Sequence, residues 1–151
     1  MPPRENTAGR IGYEGGMSGP STETIILTGG WHPRYARVLL VEHDGDRALV
    51  LVDGNGDGAE LELEYWLRDA EGVWQGGSTS GHGALEYMTA AQSWNAGDFV
   101  VALGRTHPGA EISIQYDGAA YRRRANEFGL WGFIHQSDSA RTDETPTVTA
   151  D

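Results

Sequence analysis

The chain is predicted to be all-β, an Ig-like antiparallel β-sandwich of about eight to ten short strands, with a small barrel as the alternative. Three observations predict it. Short runs rich in β-branched, aromatic and leucine residues recur between turn-forming stretches, at a spacing of roughly 8–12 residues. Two Asp-Gly dipeptides, Asp44-Gly45 and Asp117-Gly118, separate such runs and tolerate the positive φ angles of a tight hairpin. No segment sustains a 3.6-residue apolar period for three turns, so long amphipathic helices are not expected.

Residues 1–20 are rich in Gly, Pro, Ser and Thr without periodicity and read as a flexible arm. Thr24–Thr28 (TIILT) is the expected first strand. Ala36–His43 and Arg47–Asp53 flank Asp44-Gly45 and form a hairpin. Ala59–Asp69 and Val73–Gln75 follow, then a weaker candidate at Ala84–Met88. Tyr87–Trp94 suits a short helix or a long connection. Phe99–Arg105, Glu111–Tyr116, Ala119–Arg124 and Leu130–His135 complete the set, and residues 136–151 read as a disordered acidic tail. The expected domain is therefore 21–135.

Strand alternation says which faces are wet. In Ala59–Asp69 the residues Leu61, Leu63, Tyr65 and Leu67 point one way and Glu60, Glu62, Glu64, Trp66 and Arg68 the other, as in a half-buried strand. Ala36–Val41 and Ala48–Val52 are apolar on both faces. A two-sheet sandwich covers only one, so the second needs a cover. The candidates are the Thr89–Gly97 loop, the N-terminal arm and a second copy of the chain.

Composition narrows function. No cysteine is present, which excludes disulfides, thiolate chemistry and cysteine-ligated metals. Eleven basic residues, all arginine, stand against twenty-two acidic ones, for a formal charge of −11. Phosphate backbones and anionic membranes repel such a chain, so the expected partners are basic proteins, divalent cations or copies of itself, not nucleic acid or membrane. The first residues carry no apolar signal region, which reads as cytoplasmic, with secretion left open should a signal have been removed.

One motif carries a mechanism. Asp53-Gly54-Asn55-Gly56-Asp57-Gly58, with Glu64 further on, fits the spacing of a calcium-binding EF-hand loop. The flanks read as strands, however, and Glu64 would lie roughly 20 Å along its strand from the loop, too far to fold back. Asp53, Asn55 and Asp57, helped by Glu60 or water, remain the candidate ligands for a structural calcium. The other reading is a hairpin turn whose side chains bond their own backbone.

Trp66, on the glutamate-bearing face, is expected to be exposed and to anchor a partner or stack on a sugar. Trp74 joins it if the Ala70–Gly72 turn has three residues, and enters the core if it has two or four. The five histidines show no metal-ligand spacing. Ser78 to Gly83 places hydroxyls near His82 but lacks a nucleophile elbow. Arg122-Arg123-Arg124 is split between two faces by alternation and is expected to pair with the Glu60, Glu62 and Glu64 row, within the molecule or between copies.

Ala36–Val41, the Asp53–Gly58 turn, Trp74-Gln75-Gly76-Gly77-Ser78, Phe99–Gly104, Asp117-Gly118 and the closing Gly129-Leu130-Trp131-Gly132-Phe133 follow one another in an order that resembles small Ig-like sandwich proteins of GC-rich bacteria. The resemblance implies the fold and carries no catalytic residue. The expected function is a non-enzymatic, protein-binding or self-assembling module, in one form an acidic inhibitor or immunity-type protein. It would use Glu60, Glu62, Glu64 and Trp66. The alternatives are a carbohydrate-binding module using Trp66 and a hydrolase pairing Asp53 with Glu60.

Overall fold

In the computed structural model, residues 18–137 and 144–150 are described; the arm expected at 1–20 therefore falls almost wholly outside them. One helix, α1 (Thr22–Thr28), precedes ten strands: β1 (Arg37–Asp44), β2 (Arg47–Asp53), β3 (Leu61–Arg68), β4 (Trp74–Gly81), β5 (Gln92–Asn95), β6 (Phe99–Arg105), β7 (Glu111–Tyr116), β8 (Ala119–Arg124), β9 (Leu130–Gln136) and β10 (Thr147–Ala150). All pairings are antiparallel. The sheets run β1-β2-β3-β4, β5-β6-β9 and β10-β7-β8, and they do not close into a barrel. The all-β sandwich expected from the sequence is the observed architecture.

Three apolar clusters hold the layers together. Leu40, Leu49, Leu51, Leu63, Val101 and Ile134 fill the space between the four-stranded sheet and β5-β6-β9. Val100, Ala102, Ile112, Ile114, Trp131 and Phe133 join β5-β6-β9 to β10-β7-β8. Successive residues of β6 and β9 serve opposite clusters, because side chains alternate along a strand. Both faces of the middle sheet are therefore buried. In β1 the register shifts between Val38 and Leu40, and this irregularity lets the consecutive Leu39 and Leu40 enter the same cluster.

The third cluster covers the outer face of the four-stranded sheet. Ile25 of α1 packs on Ala48, Val50, Val52 and Trp66, with Trp31 and Trp74 at the margin. The cover for the doubly apolar strands is thus the segment expected to be a strand itself. Thr24–Thr28 is helical because Ser21 caps it, its side chain accepting the Thr24 N–H at 3.1 Å, and because Glu23 favours the first turn. The β-branched content of TIILT suggested a strand; a cap and one buried isoleucine outweigh it.

Other expectations shift less. The weak candidate Ala84–Met88 contains a 3₁₀ turn at Leu85–Tyr87, and the stretch read as a helix or connection ends in the short strand β5. Val73–Gln75 is the start of a longer strand, β4. Within the tail expected to be disordered, Thr147–Ala150 pairs with β7, where Thr147, Val148 and Thr149 suit an edge. Asp117 and Gly118 form their turn with φ of 53° and 75°, the signs of a type I′ hairpin. At the first hairpin Asp44 pairs with Arg47, so the loop is Gly45-Asp46, and only Gly45 has positive φ. No helix among the described residues is long and apolar enough to cross a membrane.

Candidate functional site

The β2–β3 loop is built around Asp53. Its carboxylate is fully buried and accepts the N–H of Gly56 at 3.0 Å and of Gly58 at 2.8 Å. Asp57 accepts the N–H of Ala59 at 3.0 Å, and Gly54 N–H reaches back to Glu60 O. Gly56, with φ of 77°, lets the chain bend beside the Tyr35 carbonyl, where a Cβ would come within 2.4 Å. The loop is closed on its own backbone. Among the described residues no group of three or more His, Asp or Glu side chains could hold a metal ion, and the Asp53 and Asp57 carboxylates bond N–H groups of their own loop, as the hairpin-turn reading expects.

Glu64 does not approach that loop. It is 3 % exposed and accepts two indole N–H groups, from Trp66 at 2.8 Å and from Trp31 at 2.8 Å. Trp66 is 1 % exposed. The expected wet row therefore divides: Glu60 is exposed, Glu62 half-buried, and Glu64 and Trp66 lie inside. The reason is tertiary. Alternation assigned these side chains to one face, and α1 with Trp31 covers its far half. Two expected surface contacts are instead the polar centre of an apolar layer, where a carboxylate is tolerated because both oxygens are bonded.

The Ala70–Gly72 turn has three residues, with Arg68 opposite Trp74, so Trp74 does share the face of Trp66. Asp69 stabilises this turn by accepting the N–H groups of Glu71 and Val73 and the Gln75 side chain. Those bonds favour its ionised form and hold its carboxyl below the usual aspartate range. Beyond the turn, a cleft of about 800 Å³ runs between α1 and β4, with Trp66 and Trp74 on one side and Thr24, Thr28 and Thr79 around them.

A second cleft, about 500 Å³, opens at the end of the sheet. Trp31, His32, Asn55, Glu60 and Glu62 line it together with Gly81 and Gly83. The Trp31 ring lies so close to Gly54 that a Cβ there would approach it to 2.8 Å. Two further segments complete this end. His32 stacks obliquely on Tyr35 at 4.8 Å, and the N–H of Leu85 bonds to Gly58 O, bringing Glu86 and Tyr87 beside the loop. Tyr35 is 53 % and Tyr87 78 % exposed.

The arginines are placed elsewhere. Arg122 and Arg124 pair with Glu111, and Arg123 pairs with Glu42 of β1 at 3.0 Å. None meets the Glu60, Glu62 and Glu64 row as expected, because β8 lies in the sheet farthest from β3. Arg47 pairs with Asp98. Asp57, Glu60, Glu62 and Glu86 take part in no ion pair among the described residues. These four acidic side chains lie toward the end of the sandwich that carries Trp31, Tyr35 and Tyr87, where Arg34 lies over the Tyr35 ring and Arg37 runs beside Gly56. Sequence reasoning reached Glu60 and Glu62 but not the aromatic residues, which are contributed by three separate segments. The Ser-Thr-Glu-Thr cap before α1 was the one local signal that could have led to Trp31.

Comparison with known proteins adds no identity: no family model, no curated protein and no solved structure matches this chain.

Proposed function

We propose that this protein is a non-enzymatic binding module that docks a basic surface of a partner protein against the acidic, aromatic end of its sandwich. One observation carries the reading: among the described residues Asp57, Glu60, Glu62 and Glu86 form no ion pair, while Arg47, Arg122, Arg123 and Arg124 are each paired. Exposed Tyr35 and Tyr87 add the amphipathic area typical of interface anchors. A net charge of −11 would speed encounter with a cationic partner and repel a second copy. An acidic inhibitor or immunity-type role fits this arrangement.

The alternatives have less support. Of the supports for self-assembly, the doubly apolar strands have a cover in α1, and the N-terminal arm lies almost wholly outside the described residues. The sugar reading rested on an exposed Trp66, joined by Trp74; the Trp66 ring is buried with its N–H bonded to Glu64, which leaves only the half-buried Trp74 lining the larger cleft. A hydrolase pairing Asp53 with Glu60 would need a free Asp53, which instead holds two loop N–H groups.

The test is a peptide array of varied arginine- and lysine-rich sequences, probed with the full chain and two charge-matched variants. In one, Asp57, Glu60 and Glu86 become amides; in the other, Glu23, Glu111 and Glu127 do. Binding that survives the second set and is lost with the first supports the reading. Equal loss from both would mean attraction by net charge alone and would overturn it.

A further inference from the structure

Strand β4 is the open edge of the four-stranded sheet. Its sequence, Trp-Gln-Gly-Gly-Ser-Thr-Ser-Gly, has neither a charge nor a proline, and every residue after Trp74 is exposed. Bare edges of that kind invite another strand, and proteins normally blunt them with charge, shortness or cover. The other edges of this fold are blunted. β8 carries Arg122, Arg123 and Arg124, while β5 and β10 have four residues each. β1 and β9 shield one another, Gly132 lying against Leu40 and Glu42. Among the described residues nothing pairs with the outer side of β4.

The surroundings of β4 indicate what it would accept. Carboxylates flank the uncharged strand at both ends: Glu71 in the turn before it, and Glu62 opposite Gly81 with Glu60 in the same cleft. The Glu62 carboxylate has one oxygen, Oε2, that is buried and has no hydrogen-bond partner. Arg68, beside the start of the strand, lies over the Trp74 ring at 5.5 Å. Both clefts border β4, the larger along Trp74 to Thr79 and the smaller at Gly81 and Gly83. Side chains of an added strand would therefore alternate between open space and a prepared groove.

We infer that β4 accepts an extended, basic segment of a partner protein as a fifth strand. Main-chain bonds to β4 would supply affinity, as in other strand-addition complexes. Arginine or lysine side chains would meet Glu71 at one end and the Trp31, Glu60 and Glu62 cleft at the other, where an indole face and two carboxylates suit a cation. The inference rests on the proposed binding of a basic partner and specifies how that partner is held.

The experiment uses the full chain and three synthetic peptides of about nine residues, the length of a typical long strand. One alternates arginine with valine, the second replaces arginine by glutamate, and the third is the arginine peptide N-methylated at every residue. The arginine peptide should slow amide exchange along Gln75–Ser80 by at least about tenfold and weaken steeply with salt. The glutamate peptide should not bind, and the N-methylated one should bind at least about tenfold more weakly, having lost its donors on both edges. Ser80→Lys, which adds a charge to an exposed position, should weaken binding about tenfold with the melting temperature unchanged. Equal binding by the N-methylated peptide, or unchanged exchange along β4, overturns strand addition and leaves the acidic-end reading standing. Failure of the arginine peptide to bind at about 1 mM also overturns it, and the array then decides separately whether the acidic end binds. A dimer that protects β4 without peptide assigns the edge to a second copy and overturns the proposal.

Discussion

The indole N–H of Trp66 donates to the carboxylate of Glu64, two residues earlier on the same strand, at 2.8 Å. The other oxygen of that carboxylate takes the N–H of Trp31 at 2.8 Å, and so one buried side chain links the sheet to the segment that follows α1. Glu64→Ala would strand two buried donors, at about 1–3 kcal/mol each, and should lower stability by about 3 kcal/mol. Trp31→Phe leaves the bond to Trp66 and removes one donor, so its hydrogen-bond part should cost about 1 kcal/mol. Urea unfolding followed by tryptophan fluorescence measures both. A Glu64→Ala loss below that of Trp31→Phe would mean the bonds are not what holds this layer.

Glu42 and Arg123 join β1 to β8, and burial pushes the Glu42 carboxyl above its ordinary value despite the neighbouring guanidinium. A folded pKa above the unfolded one means that protonation favours folding. The stability Glu42 gains by protonation is present in acid and lost as pH rises from the ordinary carboxylate range through the folded value. Arg123→Ala removes the cation that opposes this shift and should widen the window upward. Its stability deficit, about 1–2 kcal/mol near neutrality, should shrink as the pH falls toward 4. Thermal melts of both proteins across that range give the answer, and a deficit independent of pH would exclude Glu42 as its source.

Gly104 has no room for a methyl group. A Cβ there would meet the Ala90 carbonyl oxygen at 2.0 Å and the Trp131 ring at 2.7 Å. One neighbour is backbone and the other a fully buried ring, so neither can yield cheaply. Gly104→Ala should cost about 3 kcal/mol. Gly45→Asn, by contrast, faces open space and tests only the positive φ at that turn, a conformation asparagine tolerates. Its melting temperature should stay within a few degrees of the parent. Comparable losses from the two substitutions would refute the close approach as the cause.

Asp53 bonds two loop N–H groups from a fully buried position. Asp53→Ala should therefore lower stability by about 2–3 kcal/mol, the range for hydrogen bonds to a charged acceptor. Millimolar calcium should leave the melting temperature of the parent unchanged, since the Asp53 carboxylate already serves two loop N–H groups. A calcium-dependent rise abolished by Asp57→Asn would restore the calcium loop as the correct account.

Several features of the site were legible in order of sequence. Glu60 and Glu62 followed from alternation on β3, and the acidic charge followed from composition. The three-residue turn that sets Trp74 on the Trp66 face was one of three registers the residues allowed. Hydrogen bonds from the Glu71 and Val73 N–H groups to Asp69 selected it. Thr24–Thr28 was misread because the helix that contains it, Thr22–Thr28, has only seven residues, too few for periodicity to separate a capped helix from a strand.

By itself the sequence determined the class of the fold, most strand positions, the Asp117-Gly118 turn and the excess of negative charge, because period-two patterning and turn chemistry are local. Only the tertiary structure decided which face of β3 is wet. Alternation can place Glu62, Glu64 and Trp66 on one side of a strand, but whether water reaches that side depends on a helix more than thirty residues away in the chain. Likewise Arg123 reaches Glu42 and the open edge falls to β4 through sheet order alone, which no local pattern encodes.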